Sequence, residues 1–221
     1  MVVTGAGSGL GRCLALEFAR AGARVHGVDI DAARGAQLQR DAVGAGLVVT
    51  AHEADCADAD AVRILRDRIL ATEGRVDILV NNAGLLLNRE IAAITEEDYA
   101  RVFDANVKSV FFAMKEAAAR LADNGCVVNL SSTTTRTIFP GYGLYAAAKA
   151  AVEQATKIFA KEMGRRGITV NAVLPGPTRT QLMLAGKTEA DLERLAAASA
   201  FNRLGGPEDI ARVILFLVSP E

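Results

Sequence analysis

Short apolar runs alternate along this chain with longer segments of helical period. The runs "MVV" (1–3), "ARVHGVD" (23–29), "GLVVTAHEAD" (46–55), "VDILVNNAG" (76–84), "GCVVNLSS" (125–132) and "GITVNAVLPG" (167–176) have strand length. Several are nearly unbroken Val, Ile and Leu, as expected when both faces of a sheet are covered. Between them, apolar residues recur at helical steps, which predicts helices over about 10–21, up to about 43, and over 58–73, 95–121, 142–165 and 188–199. The 95–121 segment opens on Thr95 and Asp98, close to a capping box, and is expected to bend near Asn106. Pro207, followed by acids, opens a last helix. Such alternation predicts an α/β fold: a single Rossmann-type doubly wound parallel sheet with helices on both faces. No repeat, low-complexity segment or linker interrupts it, so 1–221 reads as one domain.

Composition narrows the functions. A length of 221 residues with 51% hydrophobic content suits one full core and argues against disorder. The 25 basic and 26 acidic residues are mixed without a basic stripe, which argues against nucleic acid as a partner. The run "VILFLV" (213–218) is too short to span a bilayer, so no membrane is expected. No basic segment leads into an apolar stretch at the N-terminus, so no signal peptide is read. Cys13, Cys56 and Cys126 form no CxxC pattern and read as reduced thiols of a cytoplasmic protein. His26 and His52 belong to no ligand cluster, so no metal is expected.

Two stretches carry chemistry. In "TGAGSGLG" (4–11), Gly5, Gly9 and Gly11 suit a tight turn, close backbone approach to a pyrophosphate and tight helix packing, with the helix N-terminus facing the phosphate. Asp29 ends the next strand, near the spacing at which an acid accepts hydrogen bonds from an adenosine ribose and repels a 2′-phosphate. No arginine lies inside the loop, so NAD(H) is expected rather than NADP; Asp31 is the better helix cap in "DIDAAR". In "GYGLYAAAKAA" (141–151), Tyr145 and Lys149 lie one helical turn apart on one face, whereas Tyr142 is two turns from the lysine. A cation so placed is expected to favour the phenolate and lower the pKa of Tyr145.

The motifs "TGAGSGLG", "AD" ending at Asp55, "NNAG" (81–84), Asn106, "NLSS" (129–132), the Tyr145–Lys149 pair and "PGPTRT" (175–180) resemble, in order and spacing, the classical short-chain dehydrogenase/reductases. The second half is most similar to the branch of 3-oxoacyl reductases and polyhydroxynaphthalene-reductase-like enzymes. The resemblance implies that Ser8, Leu10 and the loop glycines surround the pyrophosphate, Asp29 and Ile30 meet the ribose, and Asp55 and Cys56 meet the adenine. It assigns Asn82, Ala83 and Gly84 to the cofactor wall, and Pro175, Gly176, Thr178 and Thr180 to the nicotinamide end. Lys149 would also hold the nicotinamide ribose. Ser132, rather than Ser131, joins Tyr145 and Lys149 as the catalytic set, with Asn106 as fourth member acting through a bound water.

Tyr142 and Met183, with Leu184, are expected at the substrate together with Ser132 and Tyr145, under a lid around 181–200. Arg136 is open between facing substrate and facing solvent. The implied activity is NAD-dependent interconversion of a small-molecule secondary alcohol and ketone by a homodimer or homotetramer. The alternative is a non-catalytic dinucleotide-binding relative acting through binding or assembly. Two departures stand out: Ala148 replaces a common serine, and the chain stops at "LFLVSPE" where the family adds a last strand, so one sheet edge is expected to lie uncovered.

Overall fold

The computed structural model describes residues 1–219. Six parallel strands form one sheet: β1 (Val2–Thr4), β2 (Val25–Asp29), β3 (Val49–Glu53), β4 (Ile78–Asn81), β5 (Cys126–Leu130) and β6 (Thr169–Val173). Their order is β3-β2-β1-β4-β5-β6. Val3 lies beside Gly27 of β2 and Val80 of β4, and Asn81 lies beside Asn129 of β5. The order reverses between β1 and β4, and sheets of this kind bind ligands beyond the carboxyl ends of the strands at that point. Among the described residues β6 has no strand neighbour on its outer side.

The helices are α1 (Gly9–Arg20), α2 (Ala32–Gly44), α3 (Ala59–Glu73), α4 (Glu96–Phe103), α5 (Ser109–Arg120), α6 (Gly143–Met163), α7 (Gln181–Leu184), α8 (Glu189–Ala197) and α9 (Pro207–Leu217). Leu14 and Phe18 of α1, Leu38 of α2 and Ile214 of α9 pack with Val3, Val25, Val80 and Val128. On the other face, Val110 and Met114 of α5 and Val152 and Phe159 of α6 pack with Leu79, Val127 and Val170. Leu65 and Ile69 of α3 close over Val28. Each fully buried Leu or Ile here contributes about 2 kcal/mol of transfer free energy.

Local chemistry sets the helix ends. Asp31 caps α2 through the N–H groups of Ala33 and Arg34, and Thr95 and Asp98 form the expected capping box of α4. The expected bend is a π-helical turn at Asp104–Lys108. Its cause is Asn106: Nδ2 donates to the Val102 carbonyl (2.9 Å) and the Leu85 carbonyl (2.9 Å). The side chain thus competes for the carbonyl its own backbone N–H would take in a regular helix.

His26 and His52 meet on one face of β2 and β3, with Nδ1 of His26 2.9 Å from Nε2 of His52. Glu73 lies 3.2 Å from His26 Nε2. Burial pushes His26 below its ordinary value and, with the neighbouring His26 second, brings His52 down to about 4. Between about pH 6.5 and 4 the unfolded chain therefore binds more protons than the folded one, so this stabilisation is present above 6.5 and is lost as the pH falls. Urea melts from pH 7 to 4.5 are expected to show declining stability, with a shallower decline in His52→Gln. An unchanged slope in that variant would rule out the pair as its source.

Candidate active site

The glycine loop runs from the end of β1 into α1. A Cβ added to Gly5 would lie 2.9 Å from the Ala83 Cα, and one on Gly11 would lie 2.0 Å from the Gly5 carbonyl oxygen. Gly5 also has φ +64°, a left-handed conformation that glycine adopts without strain. The Thr4 hydroxyl accepts from the N–H groups of Asn82 and Ala83, 3.0 Å each. The Asn82 amide donates to the carbonyls of Thr4 (3.0 Å) and Gly5 (3.2 Å). These bonds tie the ends of β1 and β4 across the switch point and commit the Asn82 side chain to holding the loop. Ser8 caps α1 with extended backbone and makes no side-chain capping bond. The first N–H groups of α1 are therefore left for an anion.

Asp29 is fixed from two sides. Its Oδ2 accepts from the Gly7 N–H (2.8 Å) and its Oδ1 from the Asp31 N–H (3.0 Å). A carboxylate has about four lone-pair sites, so acceptor capacity remains. Gly7 is packed as tightly as the motif glycines, since a Cβ there would lie 2.7 Å from Arg34 Cβ and 2.8 Å from Asp29 Oδ2. Arg34 lines the same end of the cleft and pairs with Asp31 at 3.1 Å.

α6 presents Tyr145 and Lys149 on one face. Lys149 is buried, donates to the Leu130 carbonyl at 2.8 Å, and sits 5.7 Å from the centre of the Tyr145 ring. Ser132, just past β5, caps a short 3₁₀ turn through the Thr134 N–H (3.2 Å), and its hydroxyl faces Tyr145 closely enough to lower the pKa of the phenol. Ser131 points elsewhere, to Glu153. Asn106 is fully buried, and its Oδ1 has no partner. A Cβ on Gly84 would lie 2.5 Å from that oxygen and 3.5 Å from Lys149 Nζ, so the amide and the ammonium converge on this glycine.

The expected lowering of the Tyr145 pKa is not what this arrangement produces. Burial raises it, the nearby Ser132 hydroxyl pulls it back only in part, and Tyr142 raises it further. The Lys149 ammonium is directed at a carbonyl and does not offset the burial. Burial also brings Lys149 itself down to about 8. At neutral pH the site holds a protonated phenol.

The predicted cofactor, catalytic and substrate residues line one cleft of about 490 Å³, Gly176 and Leu184 excepted: Leu184 ends α7 and does not reach the cleft wall that Leu182 and Met183 help form. Gly176 lies in the turn behind the wall, where its carbonyl accepts from the Thr178 hydroxyl at 2.9 Å. The Thr180 hydroxyl accepts from the Met183 N–H (3.3 Å) and so caps α7. The sequence reading missed Gly7, Arg34, Leu86, Phe139, Leu182 and Leu195. Gly7 stood in the loop motif; the others come from helix faces and loops whose direction no motif encodes. The fit to a dinucleotide rests on the cradle that Cβ atoms would fill at Gly5 and Gly11, the N–H groups at the start of α1, and the partnerless Asn106 oxygen beside Gly84.

A family model described as "Enoyl-(Acyl carrier protein) reductase" matches residues 5–221. The chain is 38% identical to an NADPH-dependent aldehyde reductase-like protein, chloroplastic, of Arabidopsis thaliana, covering 98% of this chain and 86% of that one. It is 36% identical to a short-chain type dehydrogenase/reductase of Picea abies, over 100% of this chain and 85% of the relative. This chain belongs to the short-chain dehydrogenase/reductase family. A solved short-chain dehydrogenase/reductase from Serratia marcescens superposes with a TM-score of 0.93 at 34% identity, covering 99% of this chain and 89% of that one. A short chain dehydrogenase from Burkholderia cenocepacia J2315 in complex with NADP gives 0.92 at 36%, covering 100% and 90%. As a short-chain dehydrogenase/reductase the chain falls among oxidoreductases that act on small molecules. Among the described residues, no helix of this short-chain dehydrogenase/reductase is long and apolar enough to cross a membrane.

Proposed function

We propose that the protein is an NAD(H)-dependent oxidoreductase interconverting an uncharged secondary alcohol and ketone, with Tyr145 as general acid and base. The observation that carries this reading is the convergence of Ser132, Tyr145 and Lys149 in the cleft whose wall also contains the glycine loop and Asp29. When bound, a nicotinamide dinucleotide supplies or takes up the hydride. The loop glycines, Ser8 and Leu10 would hold its pyrophosphate, Asp29 and Ile30 its adenosine ribose, and Asp55 and Cys56 its adenine. Asn82, Ala83, Gly84, Lys149, Pro175, Thr178 and Thr180 would hold the remainder.

The chain's own residues handle the proton. Tyr145, protonated at neutral pH, delivers its proton to the substrate oxygen during reduction and must lose it before oxidation. Ser132 hydrogen-bonds the same oxygen and orients it. Lys149 carries its ammonium below about pH 8. The partnerless Asn106 oxygen offers an acceptor next to that ammonium. Leu86, Phe139, Tyr142, Leu182 and Met183 line the substrate side, and among the described residues the charged side chains of the cleft wall are Asp29, Arg34, Asp55 and Lys149. A largely apolar wall on which, among the described residues, Lys149 is directed at the Leu130 carbonyl and Arg34 lies at the Asp29 end supports a substrate without carboxylate or phosphate, covered by the 181–200 segment as a lid.

Asp29 supports NAD over NADP, because a 2′-phosphate beside it would meet like charge. Arg34 at the same end, and relatives that are NADPH-dependent or hold NADP, support the rival choice. Fluorescence titration is expected to give tighter NADH than NADPH binding, with the gap narrowing in Asp29→Ala; tighter NADPH binding would overturn the role of Asp29. Turnover by NAD(H) of any of a panel of cyclic alcohols, steroids, sugars and 3-oxoacyl thioesters would dismiss a purely binding role. The same reading takes the protein as cytoplasmic and homo-oligomeric. Two of its thiols agree with a reduced, unreactive state: burial pushes Cys13 up to about 11 and Cys56 up to about 12.

A further inference from the structure

Glu153 is a buried carboxylate that the chemistry above does not use. It lies on α6 one turn beyond Lys149 and two beyond Tyr145, on the same face. Its Oε1 accepts from the Ser131 hydroxyl (2.7 Å) and the Thr135 hydroxyl (2.6 Å), and its Oε2 accepts from the Arg136 guanidinium (2.5 Å). Burial pushes its pKa up, but the bonds from Thr135, Ser131 and Arg136 outweigh that and leave it below the ordinary value. It is therefore a carboxylate, an acceptor only, at any pH where the protein works.

The three donors bracket Ser132 in sequence, one immediately before it and two after it. We propose that Glu153 is a positioning residue: it pins both ends of the 131–136 turn to α6, and so holds the Ser132 hydroxyl against Tyr145 on that same helix. This rests on the roles given above to Ser132 and Tyr145. Stability alone is a poor reason for such a group, since a buried carboxylate must offset its own desolvation and is matched or exceeded by packed apolar side chains. What an apolar residue does not supply is a fixed register between turn and helix, and catalytic geometry depends on supporting contacts of this kind. The arrangement also resolves Arg136, whose guanidinium reaches back to Glu153 while more than half of its side chain stays exposed.

The test uses Glu153→Gln, which keeps the volume but brings an NH₂ group among three donors, and the double variant Ser131→Ala/Thr135→Val, which leaves the carboxylate in place. In both, kcat for ketone reduction is expected to fall at least about tenfold while the Kd for NADH stays within about twofold. The Ser132 hydroxyl lowers the Tyr145 pKa, so its displacement should also move the alkaline fall-off of reduction to higher pH. Retained kcat and an unmoved pH profile in either folded variant, whatever its melting temperature, would overturn the proposal. Tyr145→Phe run in parallel separates the two levels. An inactive Tyr145→Phe beside unaffected Glu153 variants removes the positioning role alone, whereas an active Tyr145→Phe removes the catalytic reading beneath it.

Discussion

Tyr145→Phe is expected to lose about 10²–10⁴-fold in kcat for ketone reduction, the range for a single positioned acid, with NADH affinity almost unchanged. The phenol hydroxyl is the group that faces Ser132, whereas the ring packs beside Lys149; phenylalanine keeps the ring and loses the proton. The wild-type pH dependence follows from the raised pKa. Reduction holds through neutral pH and declines as the phenol titrates at alkaline pH, while alcohol oxidation rises over the same span. Steady-state rates in both directions, with NADH titration of the variant, check all three points. Substantial turnover by Tyr145→Phe would remove the tyrosine from the chemistry.

Gly11→Ala is expected to weaken NADH binding by at least about 100-fold, near 2.7 kcal/mol, and to lower the melting temperature. Its Cβ would lie 2.0 Å from the Gly5 carbonyl oxygen and 2.5 Å from the Asn82 amide nitrogen. The nearest obstacle is backbone, so no rotamer change relieves it, and Asn82 is the bond that ties the loop to β4. Gly35→Ala is the control. It sits inside α2 with its nearest neighbour at 3.5 Å, where alanine fits and favours the helix. Equal NADH affinity in both variants would contradict the cradle.

The sheet, its strand boundaries within a few residues and both capping acids were legible because they depend on local pattern. Asp31 and Asp98 act within their own helix turn, and the Val-rich strands need both faces covered whichever helices do it. The pairing of Tyr145 with Lys149 was legible for the same reason: four residues on a helix is one turn. The direction of the Tyr145 pKa was not. It turned on where the Lys149 ammonium is aimed, and its partner, the Leu130 carbonyl, belongs to β5. Arg34 escaped because its place depends on how α2 docks, and Gly176 stands outside the lining because its neighbours Pro175 and Thr178 face the cleft. Glu153 carried no signal, since its three partners meet only once the 131–136 turn folds onto α6.

The bonds from Asn82 and Ala83 to Thr4 and Gly5 join positions nearly eighty residues apart. An emerging polypeptide that has just completed the first glycine turn and Asp29 holds the recognisable half of the pocket but not the clamp that shapes it. The clamp exists only where β4 lies beside β1, so the shaped pocket depends on the pairing of the central strands. Dinucleotide capture by a newly made chain would accordingly report finished assembly, and a ligand present during synthesis would act as a thermodynamic latch on the last step.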